Sequence, residues 1–174
     1  MPIASRADAP RLYWIDPEQR LVARIPGRYC VGSPAQLVEE ILDQLAAGPS
    51  ERDRAAGLGS ALPSRRWVDL ATLDGDLAVL RVTPDAAIGA NRVTLAAAQV
   101  VLAVTSIAGI SRVELVHDDD ALQVPLPDGE LADGPLTASA YLETLAVPRH
   151  HTTDASDWPT VRCPGGGPSA GPRR

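Results

Sequence analysis

The chain has 174 residues, with no phenylalanine, no lysine and a single methionine. Without Phe, the core has to be built mainly from Leu, Val, Ile and Ala. Apolar residues make up 45% of the chain, enough for one domain plus tails at this length. Without Lys, no phosphate-cradling P-loop can exist, so Gly165-Gly166-Gly167 carries no such chemistry. All 16 basic residues are Arg. Solvation gives no reason to exclude Lys from a surface. Together with the Ala, Gly, Pro and Arg bias, its absence reads as the codon bias of a GC-rich genome.

A basic surface is missing as well. The net charge is -6 and no basic run occurs, which argues against nucleic acid and against an anionic membrane surface. No stretch reaches the ~20 apolar residues of a membrane span. The longest uncharged run, 93–111, is broken by Thr94, Gln99, Thr105, Ser106 and Gly109, and reads as a buried helix and its exit. The opening MPIASRADAP has no apolar core of a signal peptide. The two cysteines, Cys30 and Cys163, form no CxxC pair, which removes the zinc-ribbon and thioredoxin-like spacings. Both alternatives stay open for them: a disulfide, if the compartment is oxidising, or two unrelated thiols.

What is present alternates between strand and helix signals. Residues 11–16 (RLYWID) and 21–25 flank a Pro-containing turn and read as a hairpin. Ser33, Pro34 and Gln36 spell a capping box with Pro at the first helical position. Leu37, Val38, Ile41, Leu42 and Leu45 then give one apolar face, with Glu39, Glu40 and Asp43 on the other. Gly48 and Pro49 stop that helix, and 50–56 suggests one more helical turn. Residues 67–73 and 77–83 read as a hairpin around Asp74-Gly75, with LAVLRV, apolar on both faces, as a central strand. Asn91 is placed to cap a second helix, 92–108. Strands are expected at 111–116 and 121–126, and a third helix at 137–146, ahead of Pro148. The order is ββ-α-ββ-α-ββ-α, an α/β (α+β) two-layer sandwich with one mixed sheet and helices mainly on one face. Residues 1–10 read as a flexible lead, 11–147 as the domain, and 148–174 as a disordered Pro/Gly-rich tail.

Candidate chemistry is sparse. Gly57-Leu58-Gly59 lacks the third glycine of a dinucleotide loop and does not directly follow a strand. No GxSxG occurs. His117 with Asp118, Asp119 and Asp120 offers cation ligands but misses the calcium-loop spacing, and reads as a solvated turn. His150, His151 and Cys163 supply too few ligands for zinc. No cofactor and no metal is expected. Trp67 shares strand parity with Asp69, while Val68 and Leu70 take the other parity. That parity places Trp67 on the face away from the helices, beside the outward Asp69, Arg112 and Glu114, with two readings open: an aromatic anchor for a partner, or a side chain partly buried at the sheet end under the tail or the loop 50–64.

Taken in order, these blocks resemble the GerMN domain of sporulation and spore-germination proteins and of envelope lipoproteins. The resemblance covers residues 11–146. It rests on RLYWIDPEQRLVARIP as the opening hairpin and on Leu45, Gly48, Pro49, Glu51, Gly57, Leu58 and Pro63 as an L-x-x-GP…E…GL…P segment. The hairpin at Asp74-Gly75 running into RVTP is similar to the next block, and SRVELV with DGPLTASAYL, including Tyr141, to the last. The resemblance implies a mixed α/β fold, an extracytoplasmic place in a high-GC Gram-positive bacterium, no active site and envelope proteins as partners. The expected function is a non-enzymatic binding or scaffolding module. The alternatives are a metal-assisted cell-wall hydrolase or ligand-binding enzyme using His117 and Asp118–Asp120, and a cytoplasmic regulatory domain, the location expected if Met1 is the true start.

Overall fold

The computed structural model describes residues 9–26, 29–63, 66–83, 88–147 and 160–162. The expectations for the lead and for His150, His151, Cys163 and Gly165–Gly167 lie outside these residues, as does most of the tail.

The opening hairpin forms as read, from β1 (Leu12–Ile15) and β2 (Leu21–Arg24), paired antiparallel. Its turn is held by the Asp16 carboxylate, which accepts from Arg20 N at 2.8 Å, and by Gln19 at φ 62°. A three-residue strand, β3 (Tyr29–Val31), follows. It pairs in parallel with the last described strand, β8 (Thr160–Arg162), in a stretch of the chain where no element is expected.

Helix α1 (Pro34–Ala47) follows its sequence signals closely. Gln36 N donates to Ser33 Oγ and Ser33 N to Gln36 Oε1, the reciprocal capping box. Val38, Ile41, Leu42 and Leu45 are buried. Gly48 ends the helix at φ +81°, a conformation open to glycine at little cost.

The main sheet has the order β4 (Val68–Asp74), β5 (Leu77–Val82), β6 (Arg112–His117), β7 (Asp120–Ala121). β5 is central, antiparallel to β4 and parallel to β6. The expected final strand 121–126 is cut to its first residue, because Pro125 and Pro127 follow and cannot donate to a ladder.

Helix α3 (Ala90–Thr105) starts one residue before Asn91, so Gly89 is the cap and makes no side-chain bond. Its middle is buried around the whole circumference, Ala96 to Ala98 and Val100 to Val104 all being 3% exposed or less. Such a helix has to be covered on several sides, and it touches β6, α1, β1 and the 3₁₀ helix Ala138–Thr144. This corrects the expectation of one mixed sheet. The first hairpin is a separate two-stranded sheet packed on α3, with Trp14 2% exposed. The expected third helix is the 3₁₀ helix, which brings Tyr141 fully into the core.

Candidate functional site

The GP…GL…P segment stitches the hairpin to the helices. After Gly48 and Pro49, Ser50 caps the short helix α2 (Glu51–Ala55). Asp53 then pairs with Arg24 of β2 at 3.2 Å. Gly57 turns at φ +84°, and a side chain there would meet Pro17 of the hairpin turn at 3.4 Å. Leu58 is buried, and Gly59 exchanges backbone hydrogen bonds with Ile15 at 2.8 Å. Gln99, the one buried polar residue among those described, completes the joint. Its Oε1 accepts from Ala61 N at 2.7 Å, and its Nε2 donates to Tyr13 O at 2.8 Å. Pro63 follows that joint at half exposure.

The main sheet buries one face and leaves the other open. Val68, Ala78, Leu80, Val82, Val113 and Leu115 belong to the core. Register sets the opposite face in rows: Asp69 beside Arg81 and Val116, Thr72 beside Val79 and Glu114, and Asp74 beside Leu77 and Arg112. Charges of both signs thus flank Leu77 and Val79 of the central strand, which are partly exposed, while Val116 is buried. A bulge between Leu70 and Thr72 swaps the expected alternation, so Leu73 packs on the core and Thr72 is exposed.

Of the expected interaction residues, Asp69, Arg112 and Glu114 share this open face, and Trp67 does not. Trp67 lies beside Leu42, Leu45, Ala46, Leu62 and Val68 at an apolar dimple. It precedes β4, so strand parity does not reach it. Its Nε1 is buried without an acceptor among the described residues. Arg81 was missed, hidden by the apolar reading of LAVLRV. It reaches Asp119 at 3.6 Å.

The charges on this face are partly engaged. Arg66 holds Asp69 at 2.7 Å and also bonds Glu39 and Asp43, tying β4 to α1. Gly75 and Asp76 form the two-residue turn between β4 and β5, with Asp74 closing the strand before it. The Arg112 guanidinium, 2.6 Å from Asp76, holds the Asp76 carboxyl well below the usual carboxylate range, helped by the Ser111 hydroxyl.

His117-Asp118-Asp119-Asp120 is the turn between β6 and β7. Asp118 and Asp119 take positive φ, 49° and 68°, as a tight hairpin requires, and their side chains are 85% and 91% exposed. His117 Nδ1 lies 3.3 Å from Val82 O. Among the described residues, no three His, Cys, Asp or Glu side chains gather as metal ligands. A groove of about 210 Å³, lined by Glu114, Gln123, Asp133 and Leu136 among others, runs beside β6. It is smaller than the ~300–1,000 Å³ of ordinary small-molecule sites. Tyr141 Oη is buried without a partner among the described residues, and burial pushes the Tyr141 phenol up to about 12.

A family model described as sporulation and spore germination matches residues 11–123. The chain belongs to this Germane family. Solved structures that share this fold include two of the sporulation protein GerM from Bacillus subtilis. The first GerMN domain is 18% identical, with a TM-score of 0.53, over 75% of this chain and 97% of that one. The tandem GerMN domains are 16% identical, with a TM-score of 0.55, over 74% of this chain. This chain spans 45% of that tandem structure. A search of curated protein sequences finds no match. At these identities the likeness to GerM is one of fold. No helix among the described residues is long and apolar enough to cross a membrane.

Proposed function

We propose that this Germane domain is a non-enzymatic interaction module of the bacterial cell envelope, which binds a protein partner through the open face of its main sheet. The observation that carries the reading is that face itself. Residues Asp69, Arg81, Glu114 and Arg112 alternate in sign around Leu77 and Val79, the pattern of a polar rim about an apolar centre. Family membership supports the reading, since the structural relatives are domains of a sporulation protein. The acidic turn at His117 supports an enzyme less well, because its carboxylates point to solvent and serve the turn.

A photo-crosslinking residue at Val79 or Arg81 tests this in envelope fractions of the source bacterium. The expected result is one adduct of defined mass from these positions and none from Glu40, on the outer side of α1. Equal capture from all three positions, or turnover of cell-wall fragments by the purified domain, overturns it.

A further inference from the structure

On its outer side, β6 is met by three short stretches of chain. His117 pairs with Asp120 of β7, Leu115 O accepts from Leu122 N at 2.8 Å, and Val113 exchanges both backbone bonds with Leu136, at 2.8 and 2.7 Å. Between Leu122 and Leu136 the chain leaves the sheet. There Leu126 N donates to Glu130 O and Ala132 N to Val124 O, which folds this excursion into a side hairpin of its own. The N–H and C=O of one strand residue point to the same side, so Leu115 N–H faces the gap. Among the described residues nothing accepts from it, although Leu115 is 3% exposed. Buried main-chain donors are rarely left orphaned, and this one marks a place for an oxygen from outside the domain.

The groove of about 210 Å³ lies at that gap, with Leu115 in its wall. Glu114 and Asp133 line it, and among the described residues neither carboxylate has a hydrogen-bond or ion-pair partner. The nearby cations are engaged elsewhere, Arg81 with Asp119 and Arg112 with Asp76. Leu122 and Leu136 add apolar wall. An occupant therefore has to accept one N–H, donate to two carboxylates and lay an apolar stem between them, all in the space of about one residue.

We propose that this groove receives one arginine residue of the protein partner, its main-chain carbonyl on Leu115 N–H and its guanidinium on the carboxylates of Glu114 and Asp133. A guanidinium presents five donors in a planar fork and can serve two carboxylates at once, where an ammonium is a point charge. Its methylene stem rests on leucine while the head stays polar. The inference rests on the interaction-module reading, and names what the partner presents beside the open face.

The test titrates the full chain with acetyl-Ala-Arg-Ala-amide and follows backbone amide resonances. The Leu115 amide should shift with saturation. Peptides carrying citrulline or lysine in place of arginine should bind at least about tenfold more weakly, as should the wild-type peptide to Glu114→Gln or Asp133→Asn, each having lost one charge-assisted hydrogen bond. Unchanged thermal melting of the two variants shows that the fold is intact. An unmoved Leu115 amide, or equal binding of the citrulline peptide, overturns the inference. If the arginine peptide binds as expected but crosslinkers at Val79 and Arg81 capture nothing, the groove stands and the sheet-face reading falls. If they capture a partner while Leu115 stays unmoved, the groove inference falls alone.

Discussion

Helices α1 and α3 are of similar length but solve different problems. α1 is amphipathic. It buries Val38, Ile41, Leu42 and Leu45, turns Glu39, Glu40 and Asp43 outward, and carries a complete capping box. α3 is buried all round through its middle, has no side-chain cap, and holds one buried polar side chain, Gln99. A helix with a wet face needs local signals to define its ends, because packing constrains only half of it. One enclosed by sheet, hairpin and neighbouring helices is defined by its surroundings. Gln99 then supplies the polar fixed point that an apolar rod lacks, since a buried amide is stable only with its partners in place.

Substitutions can break this contrast. The largest effect is expected at Val101→Asp, which puts an uncompensated charge into the enclosed part of α3. The domain should lose its cooperative thermal transition, while Glu40→Ala on α1 should shift stability by less than about 0.5 kcal/mol. A folded Val101→Asp protein would remove the claim that α3 is covered on all sides. Next comes Gln99→Leu, which keeps the volume but strands Ala61 N–H and Tyr13 C=O. Urea unfolding should show a loss of about 2–6 kcal/mol, from ~1–3 for each of the two orphaned groups, with faster hydrogen exchange at Ala61. Unchanged stability would mean that water satisfies both groups. The smallest effect sharpens the other side. Ser33→Ala should cost about 1 kcal/mol, with exchange accelerated only in the first turn of α1. An equal change throughout α3 would show that the two helices are one cooperative unit at that end.

The same contrast explains what was legible in the sequence. α1 could be read to the residue, because its cap and stop are written in neighbouring side chains. Asn91 looked like a cap for α3, but packing starts that helix earlier, at Ala90. The hairpins were readable from their turn residues. The docking of the first one on α3, apart from the main sheet, was not, since it depends on which neighbours cover an apolar rod. At the candidate face, alternation placed Asp69, Arg112 and Glu114 together. It failed at Trp67, beyond the strand's end, and at Thr72 and Leu73, across the bulge.

That bulge reaches further than local register. Among the described residues β4 has no strand on its outer side, and an unpaired edge is where sheets of separate molecules join into aggregates. Here the extra residue interrupts the row of amides midway, and Asp69 and Asp74 carry negative charge towards its two ends. A second chain laid along this edge would find broken spacing and like-charge repulsion. The open face of the main sheet is thus bordered by an edge that resists strand addition.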